Sequence, residues 1–166
     1  MVMTISAITE ARVRELLQNV KDPEVPAISV LELGVVRAVE VKDDSVLVTI
    51  TPTYTGCPAM DVMKQDIEKE LHDAGIADVR VQQVLSPAWT TDWITTEGKA
   101  KLKAYGIAPP EHTADIRTLK GELPVVECPH CGSKNTGMIS LFGSTACKAL
   151  WKCNVCLEPF DQFKCL

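Results

Sequence analysis

The sequence predicts an α+β protein in two parts: a small α-β-β-α-β domain with helices on one sheet face, then a C-terminal zinc ribbon held by four cysteines. Three observations predict this class. Helical apolar repeats flank a pair of β-rich segments, two Cys-x-x-Cys pairs lie near the C-terminus, and a proline-containing stretch lies before them. With 166 residues, 46% of them hydrophobic, the chain can build one medium domain and a small metal-stapled one.

The first predicted element is an amphipathic helix within residues 8–20. From Val13 onward its apolar residues follow the spacing i, i+3, i+4, i+7. The helix should end before Asp22, because Asp22 precedes Pro23 and a proline disfavours helical conformation in the residue before it. Residues 22–29 (DPEVPAIS) are then expected to form a loop.

Three segments have the composition of β-strands. Residues 35–41 and 45–51 are predicted to pair as a hairpin. The pattern of the second strand alternates, so that Val46, Val48 and Ile50 share one face. Residues 79–85 are predicted as a third strand. Together with the helices they give the order α-β-β-α-β.

A second helix is predicted from about residue 58 to residue 74, after the turn-rich loop 51–59 (TPTYTGCPA). Pro58 suits the first helical position and Gly75 suits the C-terminal cap. Its apolar residues are Met60, Met63, Ile67, Leu71 and Ala74.

Domain boundaries follow from this order. We predict a domain over residues 1–105, ending in a short helix at 95–105, then a linker over 106–124 that contains three prolines, and a ribbon over 125–166. Of the closely spaced Trp89 and Trp93, at least one indole is expected to be buried against the α+β sheet.

The four ribbon cysteines form two pairs, Cys128 with Cys131 and Cys153 with Cys156, separated by 21 residues. This spacing is typical of a tetrahedral four-thiolate metal site, most simply structural zinc. Gly132 follows the first pair, where a sharp turn favours positive φ. A pair of disulfides is the alternative, but nothing in the sequence indicates secretion.

Cys57 is the first candidate functional residue. It lies between Gly56 and Pro58 at the expected start of the second helix, where free backbone N–H groups and the helix dipole favour a thiolate. The alternative is a buried cysteine that packs as a small apolar residue. No histidine can be paired with it from sequence, so a Cys–His hydrolase has little support.

The second candidate is the pair of carboxylates Asp22 and Glu24 in the proline-constrained loop. If that loop packs against the Cys57 loop, two carboxylates and one thiolate could transiently hold Fe²⁺, Zn²⁺ or part of a cluster. A surface loop with a capping aspartate is the simpler interpretation.

The remaining cysteines, Cys147 and Cys165, are interpreted as non-ligands, because two Cys-x-x-Cys pairs already complete a tetrahedron. The ribbon aromatics, Phe142, Trp151, Phe160 and Phe163, are expected to form its small core.

Composition excludes several functional classes. Residues 125–166 have four lysines and three acidic residues, so the ribbon lacks the basic face of a nucleic-acid-binding module. No segment has the ~20 apolar residues that a membrane span needs. Because no signal peptide is evident and the cysteines have metal spacing, we expect a reducing, cytoplasmic location. The chain lacks a paired Glu-x-x-His di-iron motif and a GxGxxG nucleotide loop.

Several segments together resemble a known family. DPEVPAISVLELGVVR, TPTYTGCPAM and SPAWTTDWIT are similar to the iron–sulfur assembly domain of the SufT/metal-sulfur-cluster biosynthesis type. With CPHCGS and the terminal FGSTACKALWKCNVCLEPFDQFKC, the chain resembles the PaaD family (also called PaaJ) of the bacterial phenylacetyl-CoA epoxygenase system. In the assembly-domain family the GCP cysteine and the DPE loop are functional, which implies Cys57, Asp22 and Glu24 here.

The resemblance implies an accessory, non-catalytic protein of aerobic phenylacetate degradation. Such a protein would assist iron–sulfur cluster or iron loading of the epoxygenase system, with its iron–sulfur flavin reductase as the partner. The implied cofactors are structural Zn²⁺ and a transient iron or iron–sulfur cluster. The alternatives are a protein that docks in the oxygenase complex without metal-transfer chemistry, a thiol-dependent enzyme that uses Cys57, and a nucleic-acid-binding ribbon.

Overall fold

A computed structural model describes residues 8–110 and 124–164, which form two compact units divided between Ala88 and Trp89. The first unit contains α1 (Glu10–Leu17), β1 (Val36–Lys42), β2 (Ser45–Ile50), α2 (Ala59–Asp73) and β3 (Asp78–Gln83). The second contains a short 3₁₀ turn (Thr91–Trp93), α3 (Thr96–Ala104), β4 (Ile107–Ala108), β5 (Thr136–Ser140), β6 (Lys148–Cys153) and β7 (Pro159–Phe163). The predicted α+β class is confirmed. Among the described helices none is long and apolar enough to cross a membrane.

Helix α1 begins where its sequence supplies a cap. The side-chain oxygen of Thr9 accepts a hydrogen bond from the Arg12 backbone N–H at 3.2 Å, which satisfies one of the orphan donors of the first turn. Val13 and Leu17, on the predicted apolar face, are fully buried. The helix ends before Asp22, as the following proline predicts.

The sheet of the first unit has the order β1-β2-β3. β1 and β2 are antiparallel, as the predicted hairpin requires, and β2 and β3 are parallel. Parallel neighbours need a crossover connection, and α2 supplies it. Burial alternates along β2, with Val46, Val48 and Ile50 buried and the residues between them half-buried. α1 contacts β1 and α2, and α2 contacts β3.

Both ends of α2 follow the sequence prediction closely. Pro58 occupies the N-cap position, one residue before the first helical position predicted for it. Gly75 follows the C-terminus with φ +90°, the left-handed conformation that glycine favours. Four of the five predicted apolar residues are buried in the core, and Ala74 is exposed at the C-terminal cap.

The second unit is built on a four-stranded sheet with the order β4-β7-β6-β5. β5, β6 and β7 are antiparallel neighbours, whereas β4 pairs in parallel with β7 through Ile107 opposite Asp161 and Ala108 opposite Gln162. An ion pair of 2.7 Å joins Lys103 of α3 to Glu127. The ribbon sheet therefore includes a strand that precedes the first cysteine pair by about twenty residues.

The division into units differs from the predicted boundary at residue 105. Residues 89–110 belong to the second unit, and β4 falls inside the predicted linker; residues 111–123 of that linker lie outside the described residues. Trp89 shows the reason. Its indole is buried, as predicted, but its ring lies 6.0 Å from the ring of Phe163, at an interplanar angle of 59°. A large aromatic ring packs with whichever core offers a partner ring, and a local sequence pattern does not identify that core.

Candidate metal centre and thiol loop

The four ribbon cysteines converge on one point. Their Sγ atoms all lie within 4.8 Å of one another. The Cys128–Cys156 and Cys131–Cys153 sulfur pairs are 3.8 Å and 3.5 Å apart. A tetrahedron with Zn–S bonds of ~2.3 Å has sulfur–sulfur edges of about 3.8 Å. The donor set and its spacing therefore fit one tetrahedral metal ion, and zinc is the ion that such closed four-thiolate sites typically hold.

The two knuckles share one backbone pattern. The N–H of Cys128 donates to the carbonyl of Ser133 at 2.9 Å, and the N–H of Cys153 donates to the carbonyl of Glu158 at 3.0 Å. In each knuckle the residue after the second cysteine is left-handed, with φ +74° at Gly132 and φ +66° at Leu157. The predicted role of Gly132 is therefore visible, while Leu157 adopts the same conformation without a glycine's freedom.

The sulfurs differ in how easily they ionise. The N–H groups of Cys156 and Val155 point at Cys153 Sγ and lower the pKa of that thiol to about 6. The Glu158 backbone lowers the pKa of Cys156, but burial and the neighbouring thiols outweigh it and raise that pKa to about 12. The backbone of Ser133 favours ionised Cys131, yet its neighbour Cys153 and burial raise the pKa of Cys131. Four thiolates this close repel one another, so a divalent cation is what allows all of them to be charged.

Packing encloses one side of the metal centre. Cys128 and Cys153 are buried in a cluster with Trp151 and Phe160, while Cys156 is half-buried and Cys131 is exposed. Trp151, Phe160 and Phe163 are buried, as the predicted ribbon core requires. Phe142 is not, because its ring lies beyond the end of β5 and is 57% exposed.

Cys147 does not join the metal centre. It is buried, and its Sγ lies 3.1 Å from the hydroxyl oxygen of Thr145. Within the described residues the four-cysteine group is the only His, Cys, Asp and Glu cluster with metal-binding geometry, in agreement with the prediction for Cys147. Cys165 lies outside the described residues.

Cys57 lies one residue before the N-terminal cap of α2. Its N–H donates to the Tyr54 carbonyl at 3.2 Å, and its carbonyl accepts from the Met60 N–H at 3.3 Å. Gly56 is left-handed, with φ +82°, and has open space around the position of a Cβ. Only 9% of Cys57 is exposed, so the thiol is more enclosed than its position between Gly56 and Pro58 indicates.

The acidic loop is held together by its own side chains. Asp22 is buried, and its Oδ1 accepts hydrogen bonds from the backbone N–H groups of Glu24 at 2.8 Å and Val25 at 2.7 Å. Glu24 is half-buried. Asp22 thus has a structural role that closes the loop, the simpler of the two predicted interpretations.

Sequence reasoning missed a third carboxylate in this region, the buried Glu32. Its Oε2 accepts from the Ser29 N–H at 2.9 Å, and the Ser29 hydroxyl oxygen accepts from the Glu32 N–H at 3.2 Å. The Ser-x-x-Glu spacing of a capping box was present in the sequence and could have indicated this pair.

A shallow cleft of about 340 Å³ adjoins the acidic loop. Asp22 lines it from one side, and Asp66, Lys69 and Glu70 of α2 line it from the other. At ~1.5 Å per helical residue, Asp66 lies roughly 10 Å along the axis from the start of α2, where Cys57 is found. The structure therefore brings the four ribbon cysteines together. It places Asp22 beside the middle of α2, whereas Cys57 lies at the start of that helix.

Comparison with known proteins agrees with this architecture. Residues 10–85 match the model of an iron–sulfur cluster assembly protein family, and residues 112–164 match the PaaD zinc beta ribbon domain. The first unit resembles the crystal structure of a domain of unknown function, DUF59, from Bacillus anthracis, with a TM-score of 0.53 and 26% identity over 56% of this chain and 90% of that one. The chain is thus an assembly-type α+β domain joined to a zinc ribbon.

Two curated relatives narrow the class. The chain is 44% identical over 151 residues, 91% of its length and 90% of the relative's, to an Escherichia coli (strain K12) protein named as a putative 1,2-phenylacetyl-CoA epoxidase subunit. It is 32% identical over 96 residues, 57% of its length and 90% of the relative's, to a Porphyromonas gingivalis Fe-S protein maturation auxiliary factor. The chain belongs to the PaaD family of phenylacetyl-CoA epoxidase subunits.

Proposed function

We propose that this protein is an accessory factor of phenylacetate degradation that assists iron–sulfur cluster or iron loading of the phenylacetyl-CoA epoxidase system, with the iron–sulfur flavin reductase as its client. The observation that carries the proposal is the joining of an assembly-type domain, similar to a maturation auxiliary factor, to a ribbon of the PaaD type in one chain. The protein is proposed to be an accessory component and not the catalyst.

In this proposal Cys57 is the functional thiol, and iron or a cluster is its cargo. Cys57 lies next to the start of α2, and in this proposal its thiol is the iron-binding group of the first unit. The acidic loop with Asp22 and Glu24 borders the middle of α2, so in this proposal its carboxylates are a second contact for iron, separate from the Cys57 thiol. Since Cys57 is nearly enclosed, transfer needs the loop from Thr51 to Gly56 to move aside, and Gly56 supplies a left-handed position at which the backbone can turn.

The zinc ribbon has a different part in the mechanism. Cys128, Cys131, Cys153 and Cys156 would hold Zn²⁺, which supplies folding energy to a unit with a small apolar core. The buried sulfurs of Cys128 and Cys153 anchor the ion to the sheet, and the backbone N–H groups of the second knuckle stabilise the charge on Cys153.

A docking protein without metal-transfer chemistry is the second candidate. Two observations favour it: Cys57 is only 9% exposed, and Asp22 is already engaged in closing its own loop. In that case the protein stays in the active epoxidase complex in fixed ratio, whereas a maturation factor is absent from it.

The deciding experiment is to produce the reductase in cells whose only copy of this protein carries Cys57→Ser, and to purify it from them. The variant should keep its fold and zinc, while the purified reductase contains less iron and acid-labile sulfide and growth on phenylacetate is lost. Cys147→Ser, at a buried cysteine outside the metal centre, is the matched control and should load the reductase normally. A fully loaded reductase and normal growth with Cys57→Ser would refute the maturation proposal and leave the docking role.

A further inference from the structure

The second unit carries an apolar surface that its own fold leaves uncovered. Ile139, Leu141 and Phe142, which we call the apolar edge, are 56%, 54% and 57% exposed. They follow one another where β5 ends, and β5 is the outer strand of the ribbon sheet. Ile139 is at the irregularity in the β5–β6 register. In the first unit the comparable exposed side chains are Val62 and Leu85, far apart in sequence. Contiguous exposed apolar side chains of this kind mark interaction sites.

The apolar edge is held in place by a set of hydrogen bonds. The Ser140 hydroxyl donates to the carbonyl of Phe142 at 2.8 Å, and its oxygen accepts from the Phe142 N–H at 3.2 Å. The Gly143 N–H donates to the Lys148 carbonyl at 2.7 Å. A Cβ on Gly143 would lie 2.7 Å from Asp161 Oδ1, so any other residue at this position would require the Asp161 side chain to move. A surface ordered in advance loses little conformational entropy when a partner binds.

A cation sits within this surface. Lys164 Nζ lies 4.1 Å from the centroid of the Phe142 ring and donates to the Leu141 carbonyl at 2.5 Å. Burial lowers the pKa of Lys164. Among the described residues no carboxylate lies within ion-pair distance of this ammonium group, whereas the buried Lys148 lies 4.0 Å from Asp161. The surface therefore combines apolar side chains with a charge that the described part of its unit does not neutralise.

The positive charge of Lys164 indicates which kind of partner binds the apolar edge. Two copies that met through this surface about a two-fold axis would bring Lys164 close to its own symmetry mate, and like charges at an interface oppose association. A partner with a carboxylate beside an apolar pocket matches both features. We propose that the apolar edge and Lys164 form the docking surface for a different protein, whose contact site is apolar with an acidic group, and that this partner is the client of the proposed function.

The test measures binding of the zinc-loaded full-length chain to the purified reductase, and to the purified oxygenase component, by calorimetry. Leu141→Ser with Phe142→Ser should weaken binding about tenfold or more, because central apolar anchors carry most of an interface's free energy. Lys164→Glu should weaken it independently. The controls are Leu85→Ser, at a side chain 58% exposed in the first unit, and Lys152→Glu, at an exposed lysine of β6, and both should bind as the wild type does. Zinc content verifies the fold of the variants in the second unit, and circular dichroism verifies that of Leu85→Ser.

The outcomes separate docking from maturation, since the proposal rests on the proposed function for the partner's identity. Equal binding by the wild type and by the apolar-edge variants overturns the docking surface, as does a wild type that binds neither component. Binding to the oxygenase component alone overturns the identification of the partner as the client. A wild-type dimer that the edge variants lose also overturns it, because the occupant is then a second copy. Cys57→Ser should bind normally yet fail to load the reductase. If it loads the reductase normally, the maturation proposal fails while the docking surface stands.

Discussion

Replacing Trp89 with Ala tests whether residues 89–110 are structurally part of the ribbon unit. Trp89 is only 6% exposed, and its ring pairs with that of Phe163. Truncating a buried tryptophan to alanine costs ~3–5 kcal/mol, of which the aromatic pair accounts for about 0.5–1.5. Since every 1.4 kcal/mol is a factor of ten, the ratio of folded to unfolded second unit should fall roughly a thousandfold.

The chain offers separate probes for its two units. All three tryptophans lie in the second unit, so the urea transition followed by fluorescence reports on that unit alone. Trp93 and Trp151 remain as probes in the variant. Alkylation of Cys57 under the same urea concentrations reports on the first unit. Trp93→Ala, at a half-buried indole, is the control and should have the smaller effect.

The expected result is a fluorescence transition at lower urea, with easier zinc release to a chelator and an unchanged Cys57 transition. A double-mutant cycle with Phe163→Leu should give a coupling free energy of about 0.5–1.5 kcal/mol. If Trp89→Ala instead lowers the Cys57 transition and leaves the fluorescence transition in place, Trp89 belongs to the first core and the division between Ala88 and Trp89 is refuted.

Three further predictions concern the metal centre. The purified protein should contain about one zinc per chain, with Zn–S distances of ~2.3 Å by X-ray absorption. Cys131→Ser should abolish tight zinc binding and unfold the ribbon while the first unit stays folded. Zinc retained by this variant with four sulfur ligands would contradict the prediction. Zinc binding at pH 7 should release at least two protons, because the raised pKa values of Cys131 and Cys156 keep both thiols protonated without metal. The affinity for zinc should therefore fall as the pH falls. Calorimetry in buffers of different ionisation enthalpy measures the number of protons released. Gly132→Ala should weaken the free energy of zinc binding by about 1 kcal/mol, because an alanine is strained at φ +74°. Gly137→Ala is the control and should leave zinc binding unchanged, because a Cβ there has open space and the φ is not positive. Equal effects of the two substitutions would refute the backbone argument.

The sequence was sufficient where a local rule determines the structure. The spacing of Val13 and Leu17 predicted the buried face of α1, and Pro58 and Gly75 predicted the ends of α2. The Cys-x-x-Cys spacing predicted the metal centre, because a knuckle's geometry is contained in four consecutive residues. In each case the residues that carry the information are neighbours in sequence.

Local rules were insufficient where distant segments meet. The parallel pairing of β4 with β7 and the contact of Trp89 with Phe163 join segments more than fifty residues apart, so α3 could not be assigned to a unit from its own pattern. Leu157 is a different failure: its left-handed φ is imposed by the second knuckle, and a leucine gives no indication of it. The burial of Cys57 likewise depends on how the loop from Thr51 onward folds over it.

Pairing β4 with β7 has a consequence for the order in which the chain acquires its structure during synthesis. The whole of the first unit leaves the ribosome before β4 does, and its contacts lie within 88 residues, so it can fold while the rest is being made. β4 must wait for β7, at the far end of the chain, and the two metal knuckles lie between them. Until the last strand emerges, Trp89 lacks its ring partner Phe163 and β4 lacks its pairing strand. These groups therefore stay open to aggregation or to chaperones until β7 has emerged and paired, even when zinc has already joined the two knuckles.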